Sequence, residues 1–136
     1  MTPEITYHKG NMEFSLVKFA ELLGKGLGDY ATTSRVELMI KYGILKPTRC
    51  PRTHNPTLRP DDLLTAFCAL RLKKNANITL WGDVGRLMGN SALSMVESPD
   101  IRSTTEWNDI VNELIREGLK IKDYPRIAPI SSDENK

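Results

Sequence analysis

Apolar residues recur along most of this chain at intervals of three and four, the spacing of one face of an α-helix. From Ser15 onward, Leu16, Phe19, Ala20 and Leu23 fall at i, i+3, i+4 and i+7. Ser15 is placed to cap that first turn with its hydroxyl. The cluster Gly24-Lys25-Gly26-Leu27-Gly28 is expected to end the helix, because glycine supplies the positive φ of a C-cap. A second helix is expected from Ser34, where Ser34-Arg35-Val36-Glu37 reads as a capping box, to Gly43. Val36, Met39 and Ile40 form its apolar stripe, and Ser34, Glu37 and Lys41 fall opposite. A third helix is predicted to open at Pro60, with Asp61 and Asp62 set against the positive end of its dipole. Its stripe runs through Leu63, Leu64, Phe67, Cys68 and Leu70 and closes in Arg71, Lys73 and Lys74.

Further along, the pattern weakens and then returns. Thr79 is the expected N-cap of a short fourth helix carrying Leu80, Val84, Leu87 and Met88, with Gly82 and Gly85 lowering its intrinsic stability. Residues 89–102 read as a connector with room for a short helical turn. Ser103 to Glu106 forms a second capping box, opening an amphipathic helix with Trp107, Ile110, Val111, Leu114 and Ile115 on one face. That helix is too short for a free-standing coiled coil, so its face serves either self-association or the chain's own core. Residues 1–13 read as an irregular arm or short strand, and 123–136 as an extended or disordered tail. The expected organisation is a domain over 1–90, a connector and amphipathic helix over 91–122, and the tail.

Charge sharpens this picture at one place. The whole chain of 136 residues carries only +2, but Arg35 to Lys74 holds nine cations against three acids. That segment is therefore +6 and the remainder −4, the asymmetry an oriented polyanion-binding face requires. Its centre, Tyr42 to Pro60, contains Lys46, Arg49, Arg52, His54 and Arg59, three interior prolines and no acid. A basic loop stiffened by Pro47, Pro51 and Pro56 between two helices suits a β-hairpin whose cations meet phosphate oxygens. The alternative is a solvated loop that is merely basic.

The order of these segments resembles the DNA-binding domain of MerR-type winged-helix regulators. The resemblance covers residues 13–90 and is carried by FSLVKFAELLG, SRVELMIKYGILKP, LRPDDLLTAFCALRL and ITLWGDVGRLM. Gly43-Ile44-Leu45-Lys46-Pro47 stands where that family turns out of its recognition helix, Leu58-Arg59 where the wing strand returns, and Asp62-Leu63 where the next helix opens. The resemblance implies a mainly α fold: a winged helix-turn-helix with a small β-hairpin wing, here with an additional C-terminal helix. Lys25–Thr33 departs from the family, which joins its first two helices by a short turn. Residues 91–136 resemble neither its long dimerisation coiled coil nor an effector domain, and there is no cysteine constellation for sensing a metal. Similar winged modules occur in phage excisionases and small terminase subunits.

On this reading Ser34, Arg35, Glu37 and Lys41 face base edges in the major groove. Lys46, Arg49, Arg52, His54 and Arg59 contact the DNA backbone from the wing or enter the minor groove. The expected partner is double-stranded DNA, with a homodimer or a protein partner through the C-terminal helix as candidates. The competing function is a protein-binding adaptor or phage assembly factor docking through that helix and the tail. Catalysis is not expected, since GxSxG, HExxH, paired CxxC and the phosphate-loop patterns are all missing. No cofactor or metal is expected either. Two cysteines without partnered spacing and no apolar run of roughly 20 residues point to a reduced, cytoplasmic, non-membrane protein.

Overall fold

A computed structural model describes residues 5–8, 11–49, 56–96, 99–120 and 127. The protein is mainly helical. It opens with an antiparallel pair, β1 (Ile5–His8) and β2 (Asn11–Phe14), in register Ile5 to Phe14. The expectation for this segment was an irregular arm or a short strand. Its order comes from a distant partner: Phe14 and Leu58 exchange backbone hydrogen bonds of 2.7 and 2.9 Å. That contact is invisible to local periodicity.

Helix α1 (Leu16–Leu27) is capped as expected, the Ser15 hydroxyl accepting from the Lys18 N–H. It continues through Gly24 and Gly26 and stops only at Gly28, whose φ of 61° breaks the helical path. A 3-10 turn, Gly28–Tyr30, leads to α2 (Thr33–Lys41). The cap of α2 is Thr32 and not Ser34: Thr32 is extended, and its hydroxyl accepts from the Arg35 N–H at 3.2 Å. At the far end Gly43 turns the chain at φ 78°, with Ile44 N–H donating to Met39 and Gly43 N–H to Ile40. These two bonds satisfy carbonyls the helix end leaves orphaned.

A second antiparallel pair follows, β3 (Thr48–Arg49) with β4 (Pro56–Thr57). Helix α3 (Pro60–Asn75) starts where Pro60 predicted, its Asp62 carboxylate accepting from the Arg59 N–H at 2.9 Å. Leu63, Leu64, Phe67, Cys68 and Leu70 are buried, and so are Ala66 and Ala69, so α3 is the central helix of the core.

Helix α4 (Trp81–Val96) differs most from expectation. It begins after Leu80, not at Thr79, and half of it occupies the supposed connector, followed by the short α5 (Pro99–Arg102). Its buried stripe is Trp81, Val84 and Met88, while Leu80 and Leu87 are exposed. On this helix Gly85 packs on the turn after α2: a Cβ there would meet the Tyr42 carbonyl oxygen at 3.4 Å and Ile44 at 3.5 Å, ordinary contact distances.

The last helix, α6 (Thr105–Arg116), is capped by Thr104, one residue later than expected, through the Trp107 N–H. It runs antiparallel to α1. Gly26 lies against the Glu106 carbonyl near one end, and the Lys18 ammonium pairs with Glu117 at 3.3 Å near the other. Trp107, Ile110, Val111 and Leu114, offered above as a self-association face, are all buried in the chain's own core; only Ile115 is exposed. Trp107 stacks at a tilt on Phe67, with centroids 5.4 Å apart, and its indole N–H donates to the Ile127 carbonyl. Ile127 is buried too, although it lies in the supposed extended or disordered tail; the other residues of 123–136 lie outside the described residues. The boundary at residue 90 falls inside α4, and one hydrophobic core takes residues from Met12 to Ile127.

Gly26 is a tight point of the contact between α1 and α6. A Cβ there would sit 2.3 Å from the Glu106 carbonyl oxygen, which as backbone cannot rotate away. Gly26→Ala is expected to destabilise the fold by about 1–3 kcal/mol, read as a lower melting temperature. Gly24→Ala, two residues earlier with nothing within 4 Å of its Cβ, is expected to be neutral or stabilising by up to about 1 kcal/mol. Equal melting temperatures for the two variants would refute a tight α1–α6 contact.

Candidate nucleic-acid interface

The outward face of α2 consists of Ser34, Glu37 and Lys41, all exposed, while Val36 and Met39 on the opposite side are fully buried. Nine residues of helix make this a short rod of roughly 14 Å. Its net charge is near zero, so any anion affinity must come from the flanks. The Lys41 ammonium hangs 5.7 Å from the Tyr42 ring at the exposed C-terminal end.

Arg35 does not share that face. It is half-buried on the flank of α2, where its Nη1 donates to the Tyr30 carbonyl at 2.7 Å and its guanidinium stacks 4.2 Å from the Tyr30 ring centre. Arg35 was expected on the outward face with Ser34, Glu37 and Lys41, and the structure sets it beside Tyr30 instead. One residue along a helix is about 100° of rotation, which carries Arg35 away from the exposed side of Ser34 towards the 3-10 turn.

The turn at Gly43 leads through Ile44, Leu45, Lys46 and Pro47 into the β3–β4 pair. Leu45 and Leu58, buried on either side of it, pin both ends of this segment to the core. Lys46 and Arg59 are exposed where the chain enters and leaves. Arg49 belongs to β3, facing Pro56 in the register; Arg52 and His54 lie outside the described residues. Beneath the pair, the buried Glu13 carboxylate accepts from the Thr57 hydroxyl, which also lies 3.0 Å from the Thr48 carbonyl oxygen. Glu13 thereby links the first strand pair to the base of the second. Nothing in the local pattern around Glu13 marks it as a buried acid.

Other candidate groups have structural tasks. The Lys73 ammonium donates to the Ile78 and Thr79 carbonyls at 2.9 and 3.2 Å and lies 5.2 Å from the Trp81 ring, closing the link between α3 and α4. Burial pushes the Cys68 thiol up to about 12, an effect the nearby Arg71 charge only partly offsets. A thiol so raised is un-ionised at neutral pH and is no nucleophile. Among the described residues no group of three or more His, Cys, Asp or Glu is placed to hold a metal ion. No described helix is long and apolar enough to cross a membrane. Comparison with known proteins adds no relative: no family model, no curated protein and no solved structure matches this chain.

Proposed function

We propose that this protein binds double-stranded DNA as a winged helix-turn-helix protein and acts as a small transcriptional regulator. In this reading α2 is the recognition helix and β3–β4 the wing, in the order found in MerR-type DNA-binding domains. One observation carries it. A short helix with an exposed polar face turns at Gly43 and leads through Ile44 to Pro47 into the β3–β4 pair; Lys46 and Arg59 are exposed beside the pair, and Leu45 and Leu58 anchor it to the same core. Ser34 and Lys41 offer donors to base edges, and Glu37 is suited to accept from a cytosine amino group. Lys46, Arg49, Arg52, His54 and Arg59 supply backbone charge and orientation.

The test is duplex binding followed by fluorescence anisotropy across a salt series. The expected result is an affinity that falls linearly in log–log form, with a slope of about 0.9 for each phosphate contact. A chain that binds no duplex even at low salt overturns the proposal. The adaptor reading would then gain, and it has one specific support. Leu80 and Leu87, seven residues apart along one edge of the α4 segment, are exposed apolar side chains.

A further inference from the structure

The 3-10 turn that separates α1 from α2 draws two cations onto one aromatic ring. Arg35 lies 4.2 Å from the Tyr30 ring centre and the Lys74 ammonium, from the last turn of α3, lies 5.5 Å from it. Ring quadrupoles attract cations, so Tyr30 holds both in place. Among the described residues neither forms an ion pair, and Asp29 in the same turn pairs with neither. Arg35 makes a single hydrogen bond there, to the Tyr30 carbonyl, which leaves further donors of its planar fork for an anion. Lys74 is exposed.

We infer that Tyr30, Arg35 and Lys74 form a clamp for a DNA backbone phosphate, at the end of α2 opposite the turn into β3–β4. The inference rests on the DNA-binding reading proposed above and extends it to a second contact region. A phosphate is favoured over an isolated carboxylate because the stretch from Arg35 to Lys74 concentrates the chain's positive charge, +6 against −4 for the remainder, and a duplex strand offers a further charge about every 3.4 Å of rise. Such a clamp fixes the register of α2 in the groove without reading sequence.

Anisotropy titrations on two duplexes of unrelated sequence test this, with wild type, Lys74→Gln, Tyr30→Leu and, as a control of equal charge change, Arg116→Gln. Arg116 is exposed at the end of α6 and pairs with Glu113. Lys74→Gln is expected to flatten the salt slope by about 0.9 and to weaken both duplexes by the same factor. Tyr30→Leu is expected to raise Kd severalfold on both, because Arg35 loses its seat, and Arg116→Gln to change neither. If wild type binds while Lys74→Gln and Tyr30→Leu match it in slope and Kd, the clamp is wrong and the DNA reading survives. Weakening on one duplex alone would make this a base-reading site and overturn the phosphate assignment. If wild type binds no duplex at any salt, the DNA reading fails and the clamp fails with it. Lys74 projects from the surface, so its variant is expected to melt like wild type and keeps the test decisive should Tyr30→Leu unfold.

Discussion

The double variant Ile110→Asp, Leu114→Asp is expected not to fold, with loss of the cooperative melting transition and of most helical circular dichroism. Both side chains are fully buried between α6 and the rest of the core. Truncating either one to alanine should already cost about 2–5 kcal/mol through lost transfer energy and a residual cavity. Aspartate adds the penalty of placing a carboxylate where no partner stands. Against a typical domain stability of about 5–15 kcal/mol, two such changes exceed what the fold can absorb. A folded monomer would show the opposite, that α6 is detachable and its face an interface. Leu114→Ala alone provides a graded check: it should melt cooperatively at a clearly lower temperature.

Glutamine at Arg49, Arg52 and Arg59 together is expected to flatten the salt dependence of duplex binding by roughly two to three units of slope, at about 0.9 per contact. The weakening should be uniform across sequences, since phosphate contacts carry no base information. Lys41→Ala should behave differently, costing about 1–3 kcal/mol on a preferred site and little on others. A slope unchanged in the triple variant, with an unchanged melting temperature, would reduce the β3–β4 segment to a solvated basic loop and remove the wing from the proposed interface.

Much of the fold was legible in the sequence, and its failures have identifiable causes. The Ser15 cap and the Pro60 start were readable because their chemistry is local, one hydroxyl and one fixed φ. The α2 cap was displaced because Thr32, Thr33 and Ser34 can all cap, and the 3-10 turn before them decides which becomes extended. In α4 the apolar residues offer two adjacent stripes, and only tertiary packing decides that Trp81, Val84 and Met88 are buried while Leu80 and Leu87 are exposed. The apolar face of α6 was evident, but an apolar face looks the same whether it meets a second copy or α1. Gly26, read as a helix terminator, is instead what lets α1 approach. For the candidate site, the exposed residues of α2 followed from periodicity alone. The diversion of Arg35 did not, because it depends on a tyrosine in an insertion with no periodic signal.

The pairing of α1 with α6 also bears on how this chain acquires its structure during synthesis. The Lys18–Glu117 contact joins positions separated by 99 residues, so the N-terminal helix meets its packing partner only after nearly the entire described polypeptide has left the ribosome. Until then Phe19, Leu22 and Leu23, which end fully buried, have an incomplete cover. Contacts this distant in sequence slow folding, because a long loop must close before burial rewards it. A nascent chain arrested before Thr104 emerges would therefore present an apolar helix to whatever chaperone waits at the tunnel exit.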